Sequence, residues 1–200
     1  MIRGNHEDEE IADSFGFGPE TRDKYDSNTF DYFAYIFRIL PLVYTVTSST
    51  RKIAVLHGGL YRSHRQYNLE WLKTLDRKQM YDEDDYRAKI IEDILWSDPD
   101  DKMGVGSSPR GAGLLFGPDE TAEFCSNNGL QYLVRAHQCV MDGSQMMHDG
   151  KCITIFSAPN YCDVQGNLAA YMTVEGPDMI PGISTFGWVD HPPARDYYDD

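Results

Sequence analysis

Three apolar runs in this chain each end in a polar group able to meet a metal or a phosphate. Residues 52–56 lead into His57-Gly58-Gly59, and residues 130–134 lead into Arg135-Ala136-His137-Gln138. The opening Met1-Ile2 pair leads into Arg3-Gly4-Asn5-His6-Glu7. A short apolar run bounded by a polar, glycine-bearing turn reads as a buried strand. Glycines after such a strand let the backbone turn sharply or approach a ligand without side-chain obstruction. The expectation is an α/β fold whose functional groups sit at strand ends.

The intervening chain fits that frame. Residues 8–26 are polar and acidic around Gly16, Gly18 and Pro19, and read as a short helix, a loop and the approach to the next helix. Phe30, Phe33, Ala34, Phe37 and Leu40 then share one helical face and belong to the core. Ser27 or Asn28 caps that helix, Asp31 suits its positive end, and Pro41 stops it. Residues 42–46 and 52–56, parted by Thr47-Ser48-Ser49-Thr50, read as strand, turn, strand. Trp71, Leu72 and Leu75 predict a short amphipathic helix, and the acidic run at 81–86 a solvated loop. Residues 100–109 are loop by composition. Asp119 suits the cap of a helix that ends near Asn128-Gly129. Asp149-Gly150 marks a hairpin turn before a strand at 152–156. Residues 168–174 read as the last strand, before a tail punctuated by Gly and Pro. With no repeat and no linker, residues 1–200 are expected to form one domain.

Charge narrows the partners. Lys and Arg number 18 against 32 Asp and Glu, a formal charge of −14. That balance argues against a nucleic-acid surface, which needs positive charge to displace counterions, and against docking on anionic lipid. Cys125, Cys139, Cys152 and Cys162 lack C-x-x-C spacing, so no structural zinc site is expected. The most apolar stretch, residues 33–46, is interrupted by Arg38 and Pro41 and is too short for a membrane span. With no signal-like segment, the expectation is a cytoplasmic or nuclear protein with reduced thiols.

Asn5, His57 and His137 offer one amide oxygen and two imidazoles. Such donors suit a divalent transition metal, whereas an all-carboxylate site favours magnesium or calcium. Any one of them alone is an ordinary structural residue. From three distant strands they define one half of a site.

Read together, Arg3-Gly4-Asn5-His6-Glu7, His57-Gly58-Gly59, Leu95-Trp96-Ser97-Asp98-Pro99, Arg135-Ala136-His137-Gln138 and Ser157-Ala158-Pro159-Asn160-Tyr161-Cys162 stand in a telling order and spacing. They resemble the phosphoprotein phosphatases, the metal-dependent serine/threonine phosphatases. The resemblance implies a metallophosphoesterase-like β-sandwich of mixed sheets flanked by helices. It implies two divalent ions (manganese, iron or zinc) that activate water for in-line attack on a phosphate ester. It also implies phosphoprotein substrates and regulatory subunits or domains as partners. By the same resemblance Asn5, His57 and His137 bind the second metal, and His6 is the acid that protonates the leaving alkoxide. Arg110, in Ser108-Pro109-Arg110-Gly111, clamps phosphoryl oxygens, and Tyr161 contacts the phosphate. Each role makes chemical sense: cations neutralise a dianionic ester, an Arg fork matches two of its oxygens, and an alkoxide needs a proton to leave.

Two branches of the family compete. Residues 95–101 and 135–138 look like the type 2A branch; residues 161–163 through 176–178 look more like the branch that carries N-terminal tetratricopeptide repeats. The stretch Asp196-Tyr197-Tyr198-Asp199-Asp200 lacks the terminal Leu that type 2A enzymes have methylated, so carboxymethyl regulation is not expected.

Family members carry Gly-Asp-x-His-Gly and Gly-Asp-x-x-Asp-Arg-Gly before Arg-Gly-Asn-His-Glu, and this sequence holds neither. The expectation is a domain incomplete on its N-terminal side, lacking part of one sheet and the first metal's ligands, with little activity of its own. The alternative is a non-catalytic phosphatase-like scaffold that kept the substrate groove.

Overall fold

The computed structural model describes residues 1–191. Three helices lead: α1 (Glu9–Ser14), α2 (Phe17–Lys24) and α3 (Ser27–Ile39). A hairpin of β1 (Val43–Thr47) and β2 (Lys52–Leu56) follows, then α4 (Leu69–Leu72) and α5 (Tyr86–Trp96). Next come β3 (Asp98–Pro99), β4 (Val105–Ser107), β5 (Leu114–Phe116) and α6 (Pro118–Asn128). The chain continues through β6 (Leu133–Arg135), β7 (Ser144–Met147), β8 (Cys152–Ile155), a 3-10 turn at Tyr161–Asp163, β9 (Ala169–Glu175) and β10 (Ile180–Phe186).

The central sheet runs β1-β2-β6-β8-β7. Its three inner strands are parallel and its two outer strands antiparallel, so the sheet is mixed. Side chains alternate across a strand, and here both faces are buried. Ala54, Leu133 and Cys152 pack on Ile90 and Ile94 of α5 and Phe124 of α6. From the other face Ile53, Val134 and Ile153 pack on Met172 of β9, Met179 in the following turn and Ile183 of β10. A helix-covered sheet packed on a second sheet is the sandwich expected. Ser48 and Thr50, in the β1–β2 turn, both donate hydroxyl hydrogen bonds to the Pro177 carbonyl (2.5 and 2.6 Å), which ties the two layers at one end.

Several local expectations change. Residues 1–4 are not a strand; the Arg3 amide hydrogen-bonds the Pro41 carbonyl (2.9 Å) instead. Asp26, one residue before the predicted caps, caps α3 by accepting from the Thr29 amide. Of the aromatic stripe Phe30 is buried with Ala34, while Phe33 lies at the surface. Asp85, read as part of a solvated loop, caps α5. The cap of α6 is Gly117 with Pro118 at the first helical position; Asp119 accepts from the Gly104 amide (2.7 Å). Residues 100–109 contain β4, paired with β5. The Gly/Pro-rich tail contains β10, which pairs with β9 from Ile180↔Glu175 to Phe186↔Ala169. The reading of residues 196–200 lies outside the described residues.

Candidate metal centre

Parallel neighbours end at the same edge of a sheet, and in such folds ligands bind beyond the strands' carboxyl ends. β2 and β6 pair in parallel with Val55 opposite Val134, so the residues that follow them emerge side by side. The Ala136 amide hydrogen-bonds the His57 carbonyl (2.9 Å), extending the ladder past both strands. The His57 and His137 rings consequently lie 5.1 Å apart, centre to centre. His137 takes a left-handed backbone with φ 65°. That conformation is uncommon outside glycine and turns up at functional sites. Its other flank meets the Trp96 ring edge-on at 5.5 Å.

Asn5 reaches the same point without a strand beneath it. Arg3 is buried and donates from Nε to the Glu7 carbonyl (2.7 Å), while the Gly4 amide donates to the Glu7 carboxylate (2.7 Å). These bonds curl the chain so that Asn5 Oδ1 lies 2.8 Å from His57 Nε2. Gly4 is needed there: a Cβ would stand 3.2 Å from the His57 ring and 2.7 Å from the Glu7 carboxylate.

The electrostatics keep both imidazoles neutral. Burial, and then the Arg135 charge, pushes His57 down to about 4. Burial, and then neighbouring His57 and Arg110, pushes His137 down to about 3. Both rings also feel His6, so His6 and Arg110 stand within electrostatic reach of the pair. His6 is exposed and packs edge-on against Phe15 at 5.2 Å. Arg110 donates from Nε to Asp98 Oδ2 at 2.6 Å, and its two terminal amino groups have no hydrogen-bond partner among the described residues.

Tyr161 has no hydrogen bond or ring contact to this cluster among the described residues. It is exposed and packs edge-on against Phe156 at 5.2 Å. Its loop is nevertheless fixed beside the stretch that follows His137, because the Leu168 amide bonds the Met141 carbonyl (2.8 Å). Asn167, fully buried, is the loop's centre. It accepts from the Tyr161 amide (2.8 Å) and donates to the Ala158 and Leu168 carbonyls (2.9 and 2.8 Å). Within the loop Asn160, Cys162 and Asp163 all have positive φ, at 44°, 55° and 61°.

Sequence reasoning gave no role to Trp96, Asp98 or Arg135, although it quoted the motifs that contain them. A buried Arg is rare unless paired, and its side-chain reach is invisible in one dimension. The available signal was an Arg closing an otherwise apolar run, directly before Ala136-His137.

Do the residues fit a metal? His137 Nε2 is buried with no hydrogen-bond partner among the described residues, which is costly unless something else takes its lone pair or proton. Neutral imidazoles beside an amide oxygen are suitable donors, so the three residues fit one ion. No group of three or more His, Cys, Asp or Glu side chains placed to hold a metal occurs among the described residues.

Comparisons with known proteins identify the family. Residues 1–141 match the model of the calcineurin-like phosphoesterases, a family that uses divalent metals. The chain is 42% identical over 195 residues to serine/threonine-protein phosphatase 5 of Arabidopsis thaliana, covering 98% of this chain and 35% of that protein. Serine/threonine-protein phosphatase T of Aspergillus oryzae is 40% identical, with 98% and 39% covered, and human serine/threonine-protein phosphatase 5 is 35% identical, with 98% and 38% covered. The chain thus spans less than two-fifths of the length of these relatives. A solved protein serine/threonine phosphatase from Saccharomyces cerevisiae, described as similar to human phosphatase PP5, superposes with a TM-score of 0.82 at 37% identity. That superposition covers 96% of this chain and 61% of the yeast chain. The chain belongs to the calcineurin-like phosphoesterase family, and its relatives there are serine/threonine phosphatases.

Proposed function

We propose that this chain carries one side of a protein serine/threonine phosphatase site, acting on phosphoserine and phosphothreonine. The observation that supports this most directly is the convergence of Asn5 Oδ1, His57 Nε2 and the unpartnered His137 Nε2 beside Arg110. Asn5, His57 and His137 would hold one divalent ion (manganese, iron or zinc) of a two-ion site. Bound ions supply activation of water and neutralisation of the phosphate charge. Arg110 offers its free amino groups to two phosphate oxygens, a match for its planar fork. His6 delivers a proton to the leaving alkoxide, and Tyr161 contacts the phosphate from the groove. The substrates are phosphoproteins, with regulatory subunits or domains as further partners. The four free cysteines accord with a cytoplasmic or nuclear setting.

Manganese titration by calorimetry tests the ligand set. His57→Ala and His137→Ala should each weaken manganese at least about tenfold, on the order of 1.4 kcal/mol. Unchanged affinity in both variants would refute the assignment. A second reading, a non-catalytic phosphate-binding scaffold, draws on the absence of a carboxylate from the donor set among the described residues. It is distinguished by manganese-loaded protein that binds inorganic phosphate yet does not turn over phenyl phosphate.

A further inference from the structure

Arg135 is fully buried and reaches three segments at once: the turns that follow His57 and His137, and the Ser97-Asp98 stretch. Its Nε donates to the Gly58 carbonyl (2.6 Å), in the turn just after His57. Nη1 donates to Gln138 Oε1 (2.9 Å), just after His137. Nη2 donates to the Ser97 carbonyl (3.2 Å) and to Asp98 Oδ1 (2.7 Å). Asp98, itself buried, uses its second oxygen on Arg110 Nε (2.6 Å). The carboxylate thus lies between two guanidinium groups, one sealed in the core and one partly open to the site.

We propose that Arg135 and Asp98 are positioning residues: Arg135 fixes the carboxylate of Asp98, and Asp98 holds Arg110 by Nε so that its two amino groups are presented to an incoming phosphate. This rests on the phosphate-binding role given to Arg110 above. The physical case is preorganisation. A free Arg side chain loses about 2 kcal/mol of rotamer entropy when it is fixed. Charge-assisted hydrogen bonds are short and roughly twice as strong as neutral ones, so Asp98 fixes that rotamer before the phosphate arrives. Nε is also the nitrogen that can be used without blocking the terminal amino pair. Buried between Arg110 and Arg135, Asp98 has both oxygens satisfied, and Arg135 directs all three nitrogens to acceptors. An ion pair placed merely for stability would gain little from reaching a half-exposed Arg on a separate loop, since buried pairs are weak stabilisers.

The test uses the full chain and has two arms. The first follows the Arg110 Nε–Hε signal by nitrogen-15 NMR, assigned by its loss in Arg110→Ala. Asp98→Asn should raise its hydrogen-exchange rate at least about tenfold, equivalent to about 1.4 kcal/mol. Arg135→Lys, which keeps the charge but loses the fork, should raise it as well. Unchanged exchange in Asp98→Asn overturns the proposal, and unchanged exchange in Arg135→Lys removes Arg135 from it. The second arm measures inorganic phosphate affinity for Asp98→Asn, Arg110→Ala and the double variant. Asp98→Asn should weaken phosphate several-fold alone and not at all in the Arg110→Ala background, because it acts through Arg110. Equal losses in both backgrounds overturn the relay. If Arg110→Ala leaves phosphate affinity intact, the role given to Arg110 falls, while the exchange arm still decides whether Asp98 positions it. Should Asp98→Asn lack a cooperative unfolding transition, Asp98→Glu replaces it, with the same outcomes expected from the displaced carboxylate.

Discussion

Substituting Gly58 by alanine puts one methyl group into a space that does not exist. A Cβ there would stand 2.5 Å from the Leu95 carbonyl carbon, 2.7 Å from the Ile94 oxygen and 2.7 Å from the Leu95 oxygen. All three are backbone atoms of α5, so no side chain can swing aside. Comfortable contact is about 3.5–4.0 Å between carbons, so the loop after β2 must retreat by on the order of 1 Å. The Gly58 amide is held to the Ile94 carbonyl at 2.9 Å, and the Gly58 carbonyl accepts from Arg135 at 2.6 Å. Retreat stretches the first of these bonds beyond use. Overpacking costs about 1–3 kcal/mol and an orphaned buried donor about 1–3 more, so Gly58→Ala should lose roughly 2–6 kcal/mol. That is a large share of a domain's stability of about 5–15 kcal/mol. Equilibrium urea unfolding followed by tryptophan fluorescence measures it. Gly106→Ala is the control, since its Cβ would meet only the Leu115 side chain, at 3.6 Å, with no positive φ to strain. It should fall within about 1 kcal/mol of the parent. A Gly58→Ala loss as small as the control's would refute the close-packing argument and the anchoring of His57 that depends on it.

Three shorter expectations follow from the same structure. The Arg87 side chain, then its amide, hold the Asp85 carboxylate at about 2; its contribution is complete above the ordinary carboxylate value of about 3.9 and is lost as pH falls toward 2. A carbon-13 titration should find that midpoint, and Arg87→Ala should return it toward the ordinary range. Burial pushes the Cys125 thiol to about 11 and Cys152 to about 12, so a thiol reagent at pH 8 should label Cys139 and Cys162 in the folded chain and the other two only after unfolding. Asn167→Ala orphans the Tyr161 amide and two carbonyls, and should cost about 2–4 kcal/mol while hydrogen exchange at the Tyr161 amide accelerates.

Much of the fold could be read where a segment's period agreed with its burial. β2 begins and ends as expected, because Lys52, the apolar run and His57-Gly58 mark both of its limits. The hairpin at Asp149-Gly150 and the end of α6 at Gly129 were equally plain, each set by a residue that tolerates a left-handed backbone. α5 escaped because its cap, Asp85, sits inside an acidic run, and because its buried face mixes Ile90 and Ile94 with the charged Asp93. Asp93 is buried only because Arg62 grips it with Nε and Nη2, both at 2.6 Å. β10 escaped because Pro181 and Gly182 argue against a strand. They are tolerated in one that pairs on a single side, where a missing amide or side chain disturbs no second ladder. At the site, His57 and His137 were legible as strand-end residues, and the structure brings them together with Asn5. Asp98 and Arg135 were not, since their meaning lies in who faces whom across three loops.

The left-handed residues around Tyr161 set a boundary on sequence change that has nothing to do with chemistry at the phosphate. Asn160 and Asp163 adopt this backbone more readily than most residues, because a short polar side chain can bond locally; Asn160 Oδ1 accepts from the Gly166 amide at 3.0 Å. Cys162 has no such help. Each strained residue costs on the order of 1–3 kcal/mol, carried by the rest of the domain. A β-branched residue at 160, 162 or 163 would meet the steepest penalty. Glycine at 162 would relieve it, at the expense of a looser unfolded chain. The variants open to this loop are therefore few: glycine, asparagine, aspartate and little else at three positions. The backbone places no such restriction on Tyr161 itself, whose φ is not positive.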